Sequence, residues 1–188
     1  MQAKGLSSEL VEFRSIEEPQ LAVIHGYQNG EIRQELSSFL DLEMPWAPSS
    51  LSQIRAKTEE IQKEDRTVLF CIWSKANRFI GLGRFSAEWD TWCPHVGIII
   101  WPEYRRKGYG AEAAKLILDA AFNQGMAHVI GSAAPEWSTD GIAFAESLGF
   151  KRSGAIKRAG VIGGKFYDLA FFDMLRSEYL ERLSKGKK

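Results

Sequence analysis

Histidine and cysteine, the residues from which most metal centres and nucleophilic sites are built, are scarce in this chain. Three histidines (His25, His95, His128) and two cysteines (Cys71, Cys93) occur in 188 residues. The histidines are scattered and show no metal-ligand spacing, so no metal is expected. The two cysteines lie in or beside strand-like apolar segments and read as small buried hydrophobes rather than a disulfide or a nucleophile. Charge of one sign is also missing: 24 Lys and Arg balance 24 Asp and Glu, where a nucleic-acid binder would show a basic excess. No apolar run approaches the roughly 20 residues of a membrane helix; Val68 to Trp73 is among the longest. Met1 to Phe13 is polar and lacks the apolar centre of a secretory signal. These absences point to a soluble, cytoplasmic protein with no nucleic-acid or membrane partner. The length suits one domain around one core, with 184–188 as a solvated, disordered tail.

What the chain does have is a single unusual turn. Val96-Gly97-Ile98-Ile99-Ile100 reads as a buried strand. An amphipathic helix follows, with Ala113, Leu116, Ile117 and Ala120 on one face, running to about Gln124 and closed by Gly125. Between them lies Trp101-Pro102-Glu103-Tyr104-Arg105-Arg106-Lys107-Gly108-Tyr109-Gly110-Ala111-Glu112. The first turn of a helix exposes unpaired N–H groups and the positive end of the helix dipole. Glycines allow a phosphate to approach that backbone, and adjacent cations attract it. Residues Arg105, Arg106, Lys107, Gly108, Tyr109, Gly110 and Ala111 therefore read as an anion cradle suited to a diphosphate; a turn with merely solvated charges is the plainer alternative. A Walker loop is excluded, because no Lys-Ser/Thr pair follows Gly110. A dinucleotide fingerprint fails as well: Ala113 stands in the third-glycine region, and the next strand, Val129-Ile130-Gly131-Ser132, brings no acidic residue.

The remaining pattern predicts an α/β domain. A short strand at Val11–Ser15 precedes helices near Gln20–Tyr27 and Glu31–Phe39. Ser50 with Gln53 forms a capping box for a helix to about Lys63. Strands near Thr67–Ser74 and Phe79–Phe85 are joined by the turn Lys75–Arg78, and the central strand spans His95–Trp101. A strand at His128–Ala133, a helix at Thr139–Ser147 closed by Gly149, paired strands Lys151–Arg158 and Lys165–Met174, and a frayed last helix complete the chain.

Arg105-x-x-Gly108-x-Gly110 resembles the Arg/Gln-x-x-Gly-x-Gly/Ala loop of the GNAT superfamily, the acyl-CoA-dependent N-acetyltransferases. Ser138 to Phe150 is similar to the family's Asn-x-x-Ser-Ile-x-Leu-Tyr-Glu-x-Leu-Gly-Phe segment. Phe79-Ile80-Gly81-Leu82-Gly83, and Gly164-Lys165-Phe166-Tyr167-Asp168 through Met174-Leu175-Arg176, look like the branch that contains ribosomal-protein N-terminal acetyltransferases (RimJ/RimL-like) and spermidine acetyltransferases. The resemblance spans roughly residues 10 to 180.

It implies a single-domain GNAT fold, α/β, with a mixed, mainly antiparallel sheet flanked by helices. It also implies acetyl-CoA as cosubstrate, its diphosphate on the cradle and its pantetheine arm along the backbone of Ile98, Ile99 and Ile100. Ser138 takes the family's Asn position beside the cofactor, and Phe144 follows in the same segment. His95 stands where relatives often carry a glutamate facing the acceptor amine, and an imidazole titrates close enough to neutrality to serve as base. A histidine bonded to a loop carbonyl is the alternative. The family's tyrosine, proposed to protonate the leaving thiolate, falls on Ala145; Tyr104 or Tyr167 could replace it, or solvent. Two loops bring carboxylates and tryptophans to the acceptor side, Glu43 and Trp46 in one and Glu88, Trp89, Asp90 and Trp92 in the other, which suits a cationic amine. The expected acceptor is a peptide α-amine, with a polyamine or other small amine as the alternative, in a monomer or homodimer. An acyl-CoA-binding sensor without catalysis and an unrelated phosphate-binding module stay open.

Overall fold

The computed structural model describes residues 6–42, 47–63, 66–87 and 90–185. In chain order its elements are β1 (Val11–Arg14), α1 (Glu18–Gln28), α2 (Arg33–Phe39), α3 (Leu51–Lys63), β2 (Thr67–Ser74), β3 (Phe79–Ser86) and β4 (His95–Ile100). There follow α4 (Tyr109–Asp119), β5 (Val129–Pro135), α5 (Thr139–Leu148), β6 (Lys151–Ile162), β7 (Lys165–Leu175) and α6 (Arg176–Lys185). The strands are ordered β1-β2-β3-β4-β5-β7-β6. Pairing is antiparallel for β1–β2, β2–β3, β5–β7 and β6–β7, and parallel for β4–β5. This is the mixed, mainly antiparallel sheet that the sequence implies. The chain divides into two compact units, Met1–Ser86 with Gly97–Ile117, and Ala87–Val96 with Leu118–Lys188.

In the first unit, side chains alternate between two apolar clusters, as strand geometry requires. Leu69, Cys71, Leu82 and Ile99 join Leu21, Ile24, Leu36 and Ile54 of the helices. Ile72, Ile80 and Ile100 join Val11 and Ala113. Cys71 is thus a core hydrophobe, its thiol pushed up to about 12 by burial. Trp101 is fully buried, stacked on Tyr27 at 4.2 Å and edge-on to Phe79 at 5.4 Å. The expected capping box starts α3: the Ser50 N–H donates to Gln53 Oε1 (2.7 Å) and the Gln53 N–H to Ser50 Oγ (3.2 Å).

The helical stretch ends at Gln124 with Gly125 at its C-cap, as the sequence suggests, but its form and its buried stripe differ from expectation. The helix does not run regularly to Gln124; it ends at Asp119 and widens into a π-helical turn, Ala120–Gln124, closed by Gly125 N–H to Ala120 O at 2.7 Å. Gly125 is extended (φ −86°, ψ −168°), so it does not cap in the left-handed way; a Cβ there would lie 2.8 Å from Ala121 O. The buried stripe is Ala113, Ala114, Ile117 and Leu118, with Leu116 and Ala120 only half-buried. β4 also differs from a uniformly buried run: His95 is exposed, and burial rises along the strand to Ile99 and Ile100.

In the second unit, α5 closes on Gly149 at φ +98°, with Phe150 N–H bonded to Ala145 O at 3.1 Å, a left-handed cap. β6 and β7 extend further than expected and meet at Gly163-Gly164, both with positive φ, the conformation of a two-residue hairpin turn. Tyr179 of α6 is buried and stacks on Phe122 at 5.1 Å. Ser184 and Lys185, expected in a disordered tail, belong to α6. Their side chains bond Glu181, Ser184 Oγ to its carbonyl (2.7 Å) and Lys185 Nζ to its carboxylate (2.6 Å).

At Gly81 the backbones of β3 and β4 come close together. A Cβ there would sit 2.2 Å from Ile99 O and 3.0 Å from Ile100 Cα, which are backbone atoms and cannot swing aside. Gly81→Ala is expected to lower the urea unfolding free energy by about 1–3 kcal/mol, the range of core overpacking with backbone displacement. An unchanged urea midpoint would show that β3 and β4 can separate freely here.

Candidate functional site

The turn after β4 is built as the sequence suggests, with a feature it does not disclose. Pro102–Tyr104 forms a 3-10 turn, Arg105 is extended (φ −67°, ψ 162°), and Arg106 and Gly108 both adopt left-handed conformations, at φ +58° and +83°. The two left-handed residues bend the chain sharply just before α4, and turns of this kind can gather backbone N–H groups into an anion-binding concavity. Glu112 N–H to Gly108 O (3.0 Å) closes the first turn of α4. The N–H groups of Tyr109, Gly110 and Ala111 therefore fall where an α-helix offers no acceptor. Among the described residues a Cβ on Gly108 would meet only Leu10 Cδ1, at 3.9 Å, which leaves the glycine's side of the turn uncrowded by them.

The three cations differ in what they do. Arg105 does not project from the turn: its Nε donates to Ile100 O (2.8 Å), and its two terminal nitrogens donate to the two carboxylate oxygens of Glu35. Lys107 donates to Glu103 O (2.7 Å) and lies 5.7 Å from the Tyr104 ring centre. Arg106 is exposed. The reading of all three as direct phosphate attractors is thus corrected for the Arg105 side chain, which is committed to the fold. Glu35 and the Tyr27–Glu103 hydrogen bond, which secure this turn from α2 and α1, carry no signal in the sequence.

Ile98, Ile99 and Ile100 line β4 in the first unit, Ile99 on one face and Ile98 and Ile100 on the other. Their side chains are packed in the two clusters, and the Ile100 carbonyl is taken by Arg105.

His95, Ser138 and Phe144 belong to the second unit. His95 is exposed at the start of β4, opposite Gly131 in the parallel register. Its ring lies against that glycine: a Cβ on Gly131 would be 2.8 Å from Nε2 and 2.9 Å from Cε1. Phe171 stands edge-on at 6.5 Å. Among the described residues no loop carbonyl bonds the imidazole. Ser138 precedes α5, and its Oγ makes no capping bond, facing Gly141, where a Cβ would lie 2.7 Å away. Phe144 is half-buried on α5 beside the buried Ala145. Tyr167, one candidate proton donor, packs its hydroxyl over Gly160, where a Cβ would meet it at 2.2 Å, and its ring stands edge-on to Trp137. Tyr104 packs against both clusters of the first unit.

Of the acceptor-side residues, Glu43, Trp46, Glu88 and Trp89 lie outside the described residues. Asp90 is engaged within its own loop. Its Oδ1 accepts the Trp92 N–H (2.9 Å) and its carbonyl accepts the Cys93 N–H (3.1 Å), so the carboxylate shapes a turn. Trp92 stacks on His128 at 6.0 Å, an anchor of this loop. Burial and the nearby Asp90 and Asp173 push the Cys93 thiol up, which disfavours a nucleophilic thiolate. Among the described residues no group of His, Cys, Asp and Glu is placed to hold a metal, and no helix is long and apolar enough to cross a membrane.

Comparison with known proteins adds an independent line. The family described as acetyltransferase (GNAT) domain matches residues 11–151. An uncharacterised N-acetyltransferase of Bacillus subtilis, YnaD, is 28% identical over 85 residues, 45% of this chain and 49% of that protein. The chain thus spans about half the length of the curated relative it matches. Among solved structures, spermidine N-acetyltransferase from Vibrio cholerae, in complex with CoA and spermine, superposes with a TM-score of 0.76 at 22% identity, over 90% of this chain and 98% of that one. A GNAT-family acetyltransferase from Bacillus anthracis superposes with a TM-score of 0.73 at 20% identity, over 92% and 98%. At such identities the likeness is one of fold.

Gly108 gives the direct test of the turn. A valine there is expected to abolish acetyl-CoA binding by calorimetry, because its side chain fills the space before the N–H groups. Strain at φ +83° adds about 1–2 kcal/mol of destabilisation. Unchanged affinity would place the ligand elsewhere.

Proposed function

The chain belongs to the acetyltransferase (GNAT) family, and from that premise we propose that it is an acetyl-CoA-dependent N-acetyltransferase acting on a primary amine. The observation that carries this reading is the turn between β4 and α4, with left-handed Arg106 and Gly108 ahead of a bare helix N-terminus. The N–H groups from Lys107 to Ala111 would hold the diphosphate, with the dipole of α4 favouring its charge. The backbone of Ile98 to Ile100 would pair with the pantetheine amides, while Ser138 and Phe144 border the cosubstrate.

When bound, acetyl-CoA supplies an activated thioester: the amine nitrogen forms a bond to the acetyl carbon, the carbon–sulfur bond breaks, and the thiolate leaves. The chain must then present the amine in its neutral form. We assign that proton to His95, whose exposed imidazole accepts it directly or through one water. Ala145 offers no proton to the departing sulfur, and the Tyr167 hydroxyl is packed over Gly160. A thiol with a pKa of about 8.5 leaves as thiolate without a protein donor, so solvent suffices.

The proposed acceptor is a peptide α-amine. At pH 7.5 about a third of an α-amine with a pKa near 7.8 is neutral, against ~0.1% for an amine near 10.4, a difference of ~3 kcal/mol. A histidine at position 95 suits the less demanding substrate. Because a fold relative acts on spermidine, a polyamine is the second acceptor to test.

Two measurements check these assignments. His95→Ala is expected to lower kcat/KM by roughly 10²–10³ and to remove the acidic limb of the pH profile, with little change in acetyl-CoA affinity. Gly131→Ala, whose Cβ would displace the imidazole, should act in the same direction more weakly; wild-type rates in both variants would make His95 a structural residue. Separately, kcat/KM at pH 7.5 should be higher for a short peptide with a free N-terminus than for spermidine. The reverse order would move the acceptor to the polyamine class and leave the acetyltransferase reading intact.

A further inference from the structure

We propose that Glu35 is a positioning residue for cosubstrate binding: by holding Arg105 against the end of β4, it sets the shape of the phosphate-facing turn. Arg105, the first residue of the loop motif, then serves the turn's geometry rather than the phosphate. This rests on the reading of the turn as the diphosphate cradle.

Arginine offers five N–H groups in a rigid plane. In this structure Nε is spent on the carbonyl that ends β4, Ile100 O, and the two terminal nitrogens face the two oxygens of Glu35 in a fork-to-fork pair. Both edges of the plane are therefore fixed. The bond to Ile100 closes a loop over the four intervening residues, the buried Trp101 and the 3-10 turn. The backbone next departs through Arg106 at φ +58°, the first of the two left-handed residues that aim the N–H groups.

The front of the same loop has its own anchor. Tyr27 of α1 donates to the Glu103 carboxylate while its ring stacks on Trp101, and burial together with the carboxylate raises the Tyr27 pKa, keeping the hydroxyl a donor. Glu35 is thus needed only for the back of the loop, where the chain enters the cradle. Its pair with Arg105 is about a third exposed on each side, 34% and 33%. An ion pair so wet adds little to folding stability, so its consequence is geometric.

The two possible roles of Arg105 predict opposite effects when Glu35 loses its charge. If Arg105 is held away from the phosphate to shape the backbone, Glu35→Gln loosens the turn and weakens binding. If Arg105 binds the phosphate, the same substitution frees a cation for it, and binding tightens or stays constant.

The test compares wild type, Glu35→Gln and Glu35→Asp, with a peptide amine as acceptor and two donors, acetyl-CoA and S-acetyl-pantetheine, which lacks the diphosphate. The expected result for Glu35→Gln is a KM for acetyl-CoA raised about tenfold, the scale of one lost charge-assisted contact network. Its kcat at saturation and its kinetics with S-acetyl-pantetheine should stay within about twofold of wild type, the scale of one exposed ion pair. Glu35→Asp, which keeps the charge, should recover part of the loss. An unchanged or lowered KM for acetyl-CoA in Glu35→Gln overturns the proposal. So does an equal loss with both donors or a marked fall in melting temperature, either of which would make Glu35 a general structural residue. Wild type that binds no acetyl-CoA by calorimetry refutes the cradle reading itself, and does so before any substitution is compared.

Discussion

A backbone that is to bind an anion must present several N–H groups together, bare of side chains and of carbonyl partners. The turn between β4 and α4 meets that constraint, and much of the first unit follows from it. Helix α4 supplies the unpaired donors of its first turn, and left-handed Arg106 and Gly108 turn the chain so that those donors face outward. Left-handed conformations are strained for an arginine, so the surrounding structure must hold it. Trp101 is buried beneath the loop, Tyr27 secures Glu103 at its front, and Glu35 secures Arg105 at its back. A flexible loop of the same composition would have to lose conformational entropy on binding, whereas this one is ordered beforehand.

β4 leads directly into this turn. Its six residues run from an exposed histidine to fully packed isoleucines. The gradient leaves the start of the strand open to solvent and roots the turn that follows in packed residues. Close approach of β3 to β4 needs Gly81, and the place of the His95 ring needs Gly131; in each case a missing Cβ makes the room. Neither glycine sits in a turn. Both are matters of packing.

Most of the elements were legible in the sequence because period-2 and period-3.6 patterns, caps and glycines act locally. The capping box at Ser50, the left-handed cap at Gly149 and the hairpin turn near Gly163 all depend on residues within a few positions of each other. The turn between β4 and α4 was legible as a turn for the same reason. What sequence could not show are pairings across long separations. Glu35 and Arg105 are 70 residues apart, and Tyr27 and Glu103 are 76 apart, so nothing local tells that Arg105 is already engaged. In the acceptor-side loops, the sequence likewise does not show that Asp90 Oδ1 accepts the Trp92 N–H and so shapes its own turn. The π-helical turn after Asp119 arises because Gly125 N–H reaches back five residues to Ala120 O, a choice among near-equal hydrogen bonds that apolar periodicity does not register.

The central claim, that the β4–α4 turn serves acetyl transfer to an amine, is tested most directly by following free thiol and acetylated product together. Purified chain is incubated with acetyl-CoA and a panel holding a peptide α-amine, spermidine and a lysine side-chain amine. Thiol is read by colour and acetylated amine by mass spectrometry. The account predicts amine-dependent thiol release, in one-to-one ratio with N-acetylated product, that is lost in Gly108→Val. Saturable acetyl-CoA binding without amine-dependent thiol release from any member of the panel would contradict it and leave a binding protein in its place.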